Sequence, residues 1–206
     1  MDYAGLQSTI GDFLNRPDLY AQVPTFITLA EAKMARRLRV QAMVTSATAS
    51  VGAEFETTPT DFAAPISMKL TPANDATGTY VLDCIAPDAM AARKQFTDTP
   101  GGQPKCYAVV GGSFEFSPVP DQSYSVYLIY YAKPPALSVS NTSNWLLAAW
   151  PDAYLYGALE QATPYVKDAR AAAWASLFEA ALSEIEQADK RDSFGARLEP
   201  KASLVI

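Results

Sequence analysis

The chain contains no histidine. Acid–base chemistry near neutral pH would therefore fall to carboxylates, lysine, tyrosine or cysteine with shifted pKa values, and His-containing triads and metal sites are ruled out. Cysteine is nearly as scarce, with only Cys84 and Cys106. Both lie in strand-like sequence, where a reduced thiol behaves as a small buried hydrophobe, and a disulfide between them is the less favoured reading. Positive charge is also short: 16 Lys and Arg face 22 Asp and Glu, for a net charge of −6. Such a balance opposes gripping nucleic acid, because phosphate binding rests on Lys and Arg replacing counterions. No apolar run approaches the ~20 residues of a membrane span. The start, MDYAGLQSTIGDF, lacks the basic region and continuous apolar core of a secretion signal, so synthesis in the cytoplasm is expected. There is no GxxxxGK[ST] loop, no GxGxxG after a strand and no CxxC; Gly101-Gly102 and Gly111-Gly112 fall between strands and read as turns.

What remains is an ordinary globular composition, 49 % hydrophobic and 18 % charged over 206 residues. A chain of this length buries roughly 70 % of its unfolded surface, enough for a core without staples. Tyr3, Leu6, Ile10, Phe13 and Leu14 recur at helical spacing, and Arg16-Pro17-Asp18 breaks the pattern. A second helix is expected from Pro24, with Phe26, Ile27, Ala30, Met34 and Leu38 inside. Its outer face would carry Glu31, Lys33, Arg36, Arg37 and Arg39, acid early and base late as the helix dipole favours.

After Val40 the period becomes alternating. Strands are expected over 43–51, within FETTPTDFAAPISMKL, and over 79–84, 106–110, 114–117 and 124–132, with a short helix over 87–96. YSVYLIYYA at 124–132 is the strongest strand pattern. Pro134-Pro135 stops it, and the polar run SVSNTSN leads to a helix that begins near Trp145 or, more firmly, at Pro151. Tyr154, Leu155, Ala158, Leu159 and Ala162 form its inner stripe. Pro164 ends or kinks it, and Asp168 is placed to start a last helix with Trp174, Leu177, Phe178, Ala181, Leu182 and Ile185 on one face. From Ser193 the chain turns irregular and closes on Leu204, Val205 and Ile206.

This order predicts an α+β fold: a discontinuous helical bundle from 1–42 and 138–192, an inserted β domain over 43–137 and a tail over 193–206. A catalytic pair of carboxylates finds little support. Glu184 and Glu186 point apart on their helix, and Glu179 and Asp189 fall on its polar side, so a solvated face is favoured. Asp61 and Asp152 sit beside prolines at element starts and read as structural. The run Lys33–Arg39 is a solvated or partner-contacting face. The aromatic set Trp145, Trp150, Tyr154, Tyr156, Tyr165 and Trp174 is mostly core by spacing, but Tyr156 lies off the inner stripe and suits an assembly surface.

The block YYAKPPALS...NTSNWLLAAWPDAYLYGALEQATPYVKDARAAAWASLFEAAL resembles the signature of the head-to-tail adaptor proteins of tailed bacteriophages, of collar or tail-tubular type. The resemblance extends to FLNRPDLYAQVPTFITLAEAKMARRLRV, TPTDFAAPISMKL and GGQPKCYAVVGGSFEFSPVPD, in the family's order. It implies a non-enzymatic virion protein at the neck: a twelvefold ring that docks on the portal protein and carries the tail or nozzle protein. Duplex DNA would pass through without specific binding, with no membrane and no cofactor. It implies no catalytic or metal residue. The candidate assembly residues are Arg36, Arg37, Arg39 and Tyr156, and Arg197, Leu204, Val205 and Ile206 in a tail expected to insert into a neighbouring ring. A more distal tail-completion ring and a peptidoglycan hydrolase using paired carboxylates are the competing readings.

Overall fold

The computed structural model describes residues 1–72, 78–96, 101–166 and 170–195. The chain divides into two compact units, one of Met1–Met43 together with the chain from Lys133 onward, the other of Val44–Ala132. Among the described residues there are six α-helices and seven strands in one sheet, a mixed α+β composition.

In the first unit, α1 (Tyr3–Leu14) starts where Asp2 accepts a hydrogen bond from the Gly5 amide at 2.8 Å and ends at Asn15, whose φ of 49° is left-handed. It buries Tyr3, Leu6, Ile10 and Leu14, while Phe13 stays exposed. A 3-10 turn, Pro17–Gln22, leads to α2 (Val23–Arg37), with Pro24 in its first turn and Phe26, Ile27, Ala30 and Met34 buried. Both proposed starts of the later helix are used. Asn144 caps a short α4 (Trp145–Ala149), and α5 (Pro151–Ala162) follows after Trp150.

Pro164 does end α5, in a 3-10 turn at Thr163–Tyr165. The last helix, α6 (Ala171–Gly195), continues through Ser193 to Gly195, where the sequence pattern predicts irregular chain; Asp168 and the tail residues Arg197, Leu204, Val205 and Ile206 lie outside the described residues. Helix α5 packs on α1, α2 and α6. Gly157 is what lets it approach: a Cβ there would stand 2.9 Å from the Phe178 ring and 3.1 Å from Ala30 Cβ, closer than side chains tolerate. The bare backbone is thus a packing surface between α2 and α6.

The second unit is a sheet of β1 (Val44–Val51), β2 (Phe55–Thr57), β3 (Phe62–Pro72), β4 (Tyr80–Cys84), β5 (Cys106–Val110), β6 (Ser113–Ser117) and β7 (Tyr124–Ala132), in the order β1-β7-β3-β4-β5-β6-β2. All neighbours are antiparallel except β4 and β5. A parallel pair needs a crossover, and α3 (Pro87–Phe96) supplies it, resting Met90 against Cys106 and Ala108. Strand β7 alternates as its pattern demands, burying Tyr124, Val126, Leu128 and Tyr130 against Met68, Leu70, Phe114 and Phe116. The first and last strands of the sheet, β1 and β2, are joined by only residues 52–54, so the sheet curls about this core until its edges approach.

Candidate assembly surface

Two helices, rather than solvent, take up much of the polar side of α2. Lys33 Nζ donates to Glu160 of α5 at 2.9 and 3.0 Å and stands 3.4 Å from Glu179 of α6. Burial lowers the affinity of Lys33 for its proton, but Glu160 and Glu179 outweigh it and the pKa is raised. Arg37 bridges Glu186 at 3.1 Å and Glu179, and the two carboxylates raise its pKa further. Glu31 and Lys33, expected on the outer face of α2, are thus engaged by other elements of the same unit. A period of 3.6 finds the apolar stripe of a helix, but not a second neighbour lying against its polar flank.

Glu31 departs furthest. Its Oε1 accepts from the Leu137 amide at 2.8 Å and from the Tyr154 hydroxyl at 3.1 Å. Asn144 Nδ2 in turn donates to the Tyr154 oxygen at 2.7 Å and to the Pro135 carbonyl at 2.8 Å. Burial raises the Glu31 carboxyl above the usual carboxylate range, against the opposing pull of the Leu137 and Tyr154 hydrogen bonds. Burial also pushes the Tyr154 phenol up, with Asn144 opposing and the Glu31 charge adding to the rise. The double proline and Ser/Asn run are thus tied to α2 and α5 by side-chain hydrogen bonds, with Asn144 both capping α4 and holding Tyr154. The signal in sequence is faint: one acid on a basic face, and one Asn before a tryptophan.

The expected contact residues are placed as follows. Arg36 is exposed and makes no hydrogen bond or ion pair among the described residues. Arg39 donates to the Ala35 carbonyl at 2.8 Å and, with Arg37, lines a groove of about 220 Å³ that Glu186, Asp189 and Lys190 complete. Tyr156 is half-buried on α5 and is not part of that groove. A neighbouring hollow of about 340 Å³ is lined by Trp145, Trp150, Ile185 and Ala188, with Asp189 and Asp192. Spacing puts both tryptophans mostly in the core; each is instead half-buried beside an open apolar hollow, the setting in which Trp dominates interfaces.

Of the six acidic residues weighed for catalysis, four have structural partners. Glu179 and Glu186 hold Arg37, Asp189 accepts the Gln41 amide, and Asp61 accepts the Tyr130 hydroxyl at 2.9 Å. Among the described residues no group of three or more acidic or cysteine side chains is placed to hold a metal ion. No described helix is long and apolar enough to cross a membrane.

In the β unit a second cavity of about 340 Å³ opens between β1 and β2, walled by Met68, Phe114, Phe116, Val126 and Leu128. On the outside of the sheet Lys94 of α3 holds Glu115 at 2.5 Å and also Glu54, with its ammonium 5.6 Å from the Phe55 ring centre.

Compared with known families, residues 1–201 match the model described as SU10 adaptor protein. A search of curated proteins found no match.

Proposed function

Since the chain belongs to the SU10 adaptor protein family, a phage head-tail adaptor family, we propose that it forms a ring, twelvefold by the resemblance, that docks on the portal protein, carries the tail or nozzle protein and surrounds the DNA channel. The observation that carries this is the match along nearly the whole chain. The finer fold belongs to the same proposal: a helical bundle split by an inserted β domain. Arg36, Arg39, Tyr156 and the tryptophan-lined hollow offer exposed cationic and half-buried aromatic groups of the kinds enriched where proteins meet. An acidic chain, net −6, would let a duplex slide past rather than hold it.

The test is to mix the purified chain with its portal ring and image the product by negative stain. A second ring stacked coaxially on the portal is expected, and its subunit number is read from the same images. No association across a range of salt and concentration would move the chain to a more distal ring of the tail.

A further inference from the structure

Two helices of the helical unit carry matching outward faces that the unit itself leaves uncovered. On α2, Leu29, Ala32 and Arg36 recur at the spacing of one helical side, turned away from the buried Phe26, Ala30 and Met34. All three are exposed, Leu29 by 46 %. On α6 the same spacing recurs in Leu177, Ala180 and Glu184, exposed on the side away from Trp174, Phe178 and Ile185. Leu177, placed on the inner face by the sequence pattern, is in fact 42 % exposed.

A lone exposed leucine is ordinary on a protein surface. Here each leucine shares its stripe with a charge that has nothing to pair with. No opposite charge stands three or four residues from Arg36 or from Glu184, and neither makes a hydrogen bond or ion pair among the described residues. The two charges are of opposite sign, so each face supplies what the other lacks.

Register and direction agree with that complementarity. Within one chain α2 and α6 run the same way: Lys33 meets Glu179, Arg37 reaches on to Glu186, and the Gln41 amide meets Asp189. In both stripes the same number of residues separates leucine from charge, about 10.5 Å of helix. Laid side by side in the same direction, α2 of one copy and α6 of another bring Leu29 to Leu177, Ala32 to Ala180 and Arg36 to Glu184 at once. The alanine pair suits an approach of roughly 8–10 Å between helix axes. Reversing one helix about the leucine pair would instead bring Arg36 to Arg170, cation against cation.

We propose that this is the joint between copies of the chain: the outer face of α2 docks on the outer face of α6 of a second copy, and Arg36 pairs with Glu184. The two faces differ, so the contact is heterologous, repeats head to tail and closes into a ring where the rotation allows. Rotation about an axis along the helices preserves their direction from copy to copy. The shared direction of α2 and α6 inside one chain is therefore what a parallel contact between chains of a ring requires. The inference rests on the ring part of the proposed function and is separate from portal docking.

Charge exchange in the full chain tests it, read by sedimentation velocity over a concentration series, with the chain alone and mixed with its portal ring. The parent should associate. Arg36→Glu sets carboxylate on carboxylate at every joint and Glu184→Arg sets cation on cation, so each alone should weaken association at least about tenfold. An equimolar mixture of the two variants should restore association to within about threefold of the parent, because every joint between unlike copies again pairs opposite charges. Unchanged tryptophan emission shows that both variants are folded. Single variants that associate as the parent does, a mixture no better than its components, or a parent that stays monomeric alone and beside the portal would overturn the proposal. Rings that form on the portal equally well with either single variant remove this joint and leave the ring. Association that follows the charges without binding to the portal keeps the joint and removes the docking.

Discussion

The helical unit and the β unit solve the same problem with opposite margins. In the helical unit, closeness comes from small residues: α5 sets Gly157 against Ala30 of α2 and the Phe178 ring of α6. Its polar groups then cross between helices, Glu31 to Tyr154 and Lys33 to Glu160. In the β unit the core is aromatic, with Phe62, Tyr107, Phe114 and Tyr130 in tilted and edge-on contacts, and it is unfilled at one end. The helical unit is tight where α5 meets α2 and α6, whereas the β unit is unfilled beside an open edge. That difference suits the first to be a frame and the second to accept something.

The largest effect should come from removing the ring at the tight site. Phe178→Ala takes out a fully buried side chain whose neighbours cannot collapse, and should cost the helical unit about 3–5 kcal/mol. All three tryptophans, Trp145, Trp150 and Trp174, lie in that unit. Their fluorescence should therefore follow its unfolding alone, while six of the tyrosines report on the β unit through near-ultraviolet dichroism. The comparison breaks if both signals shift together, because the units would then unfold as one.

Next in size is Glu31. Truncation to Ala would strand the Leu137 amide and the Tyr154 hydroxyl, at a cost of about 1–3 kcal/mol. The pH dependence has an unusual sign. With the folded-state pKa raised, both states are protonated below the ordinary Glu value, and there the stability contributed through Glu31 protonation is fully present. As pH climbs, the unfolded chain releases its proton first, and stability falls until the folded-state value is passed. Denaturant midpoints read by tryptophan fluorescence should show that decline from the ordinary Glu pKa upward, and Glu31→Gln should flatten it. A midpoint rising with pH over that window in the parent relative to Glu31→Gln would contradict the assignment of burial as the cause.

The opposite change sharpens the contrast from the other side. Ala47→Leu adds apolar volume where the β unit has room, and should stabilise it by about 0.5–2 kcal/mol. A similar enlargement at Gly157 should destabilise the helical unit, since Phe178 and Ala30 already occupy the space. Thermal scans of the two variants give the signs directly. If Ala47→Leu lowers the midpoint, the space beside β1 is not available for a side chain.

Much of the fold is legible in the amino-acid sequence. The strands at 106–110 and 124–132 and the helix at 87–96 match their sequence patterns end to end, because period-two alternation and proline-bounded helical runs are local signals. The curl is not legible there. It follows from β1 and β2 lying at opposite ends of the sheet order, which no local pattern encodes, and β4 beside β5 in parallel is equally nonlocal. At the candidate assembly surface the exposed Arg36 and half-buried Tyr156 can be read from helical phase. The two tryptophans beside the hollow cannot, since a large apolar residue carries the same signal whether a neighbour covers it or not.

The smallest effects expected compare two cations that each bridge two carboxylates. Arg37 joins Glu179 and Glu186 on the helical unit, with side chains about a third to a half exposed. Lys94 joins Glu54 and Glu115 on the β unit, where Glu115 is only 16 % exposed and the Phe55 ring lies close to the ammonium. Exposed pairs contribute about 0.2–1 kcal/mol, and salt screens them. Arg37→Ala should therefore fall at the low end of that range and lose its effect in roughly molar salt. Lys94→Ala should cost more and keep part of its effect, because screening hardly touches a partly buried carboxylate left without its partner. If the order is reversed, Arg37 is a fixed strut of the helical unit. If it holds, the ion pairs of Arg37 are weak enough to be exchanged for a partner's carboxylate, which an assembly contact at that end of α2 requires.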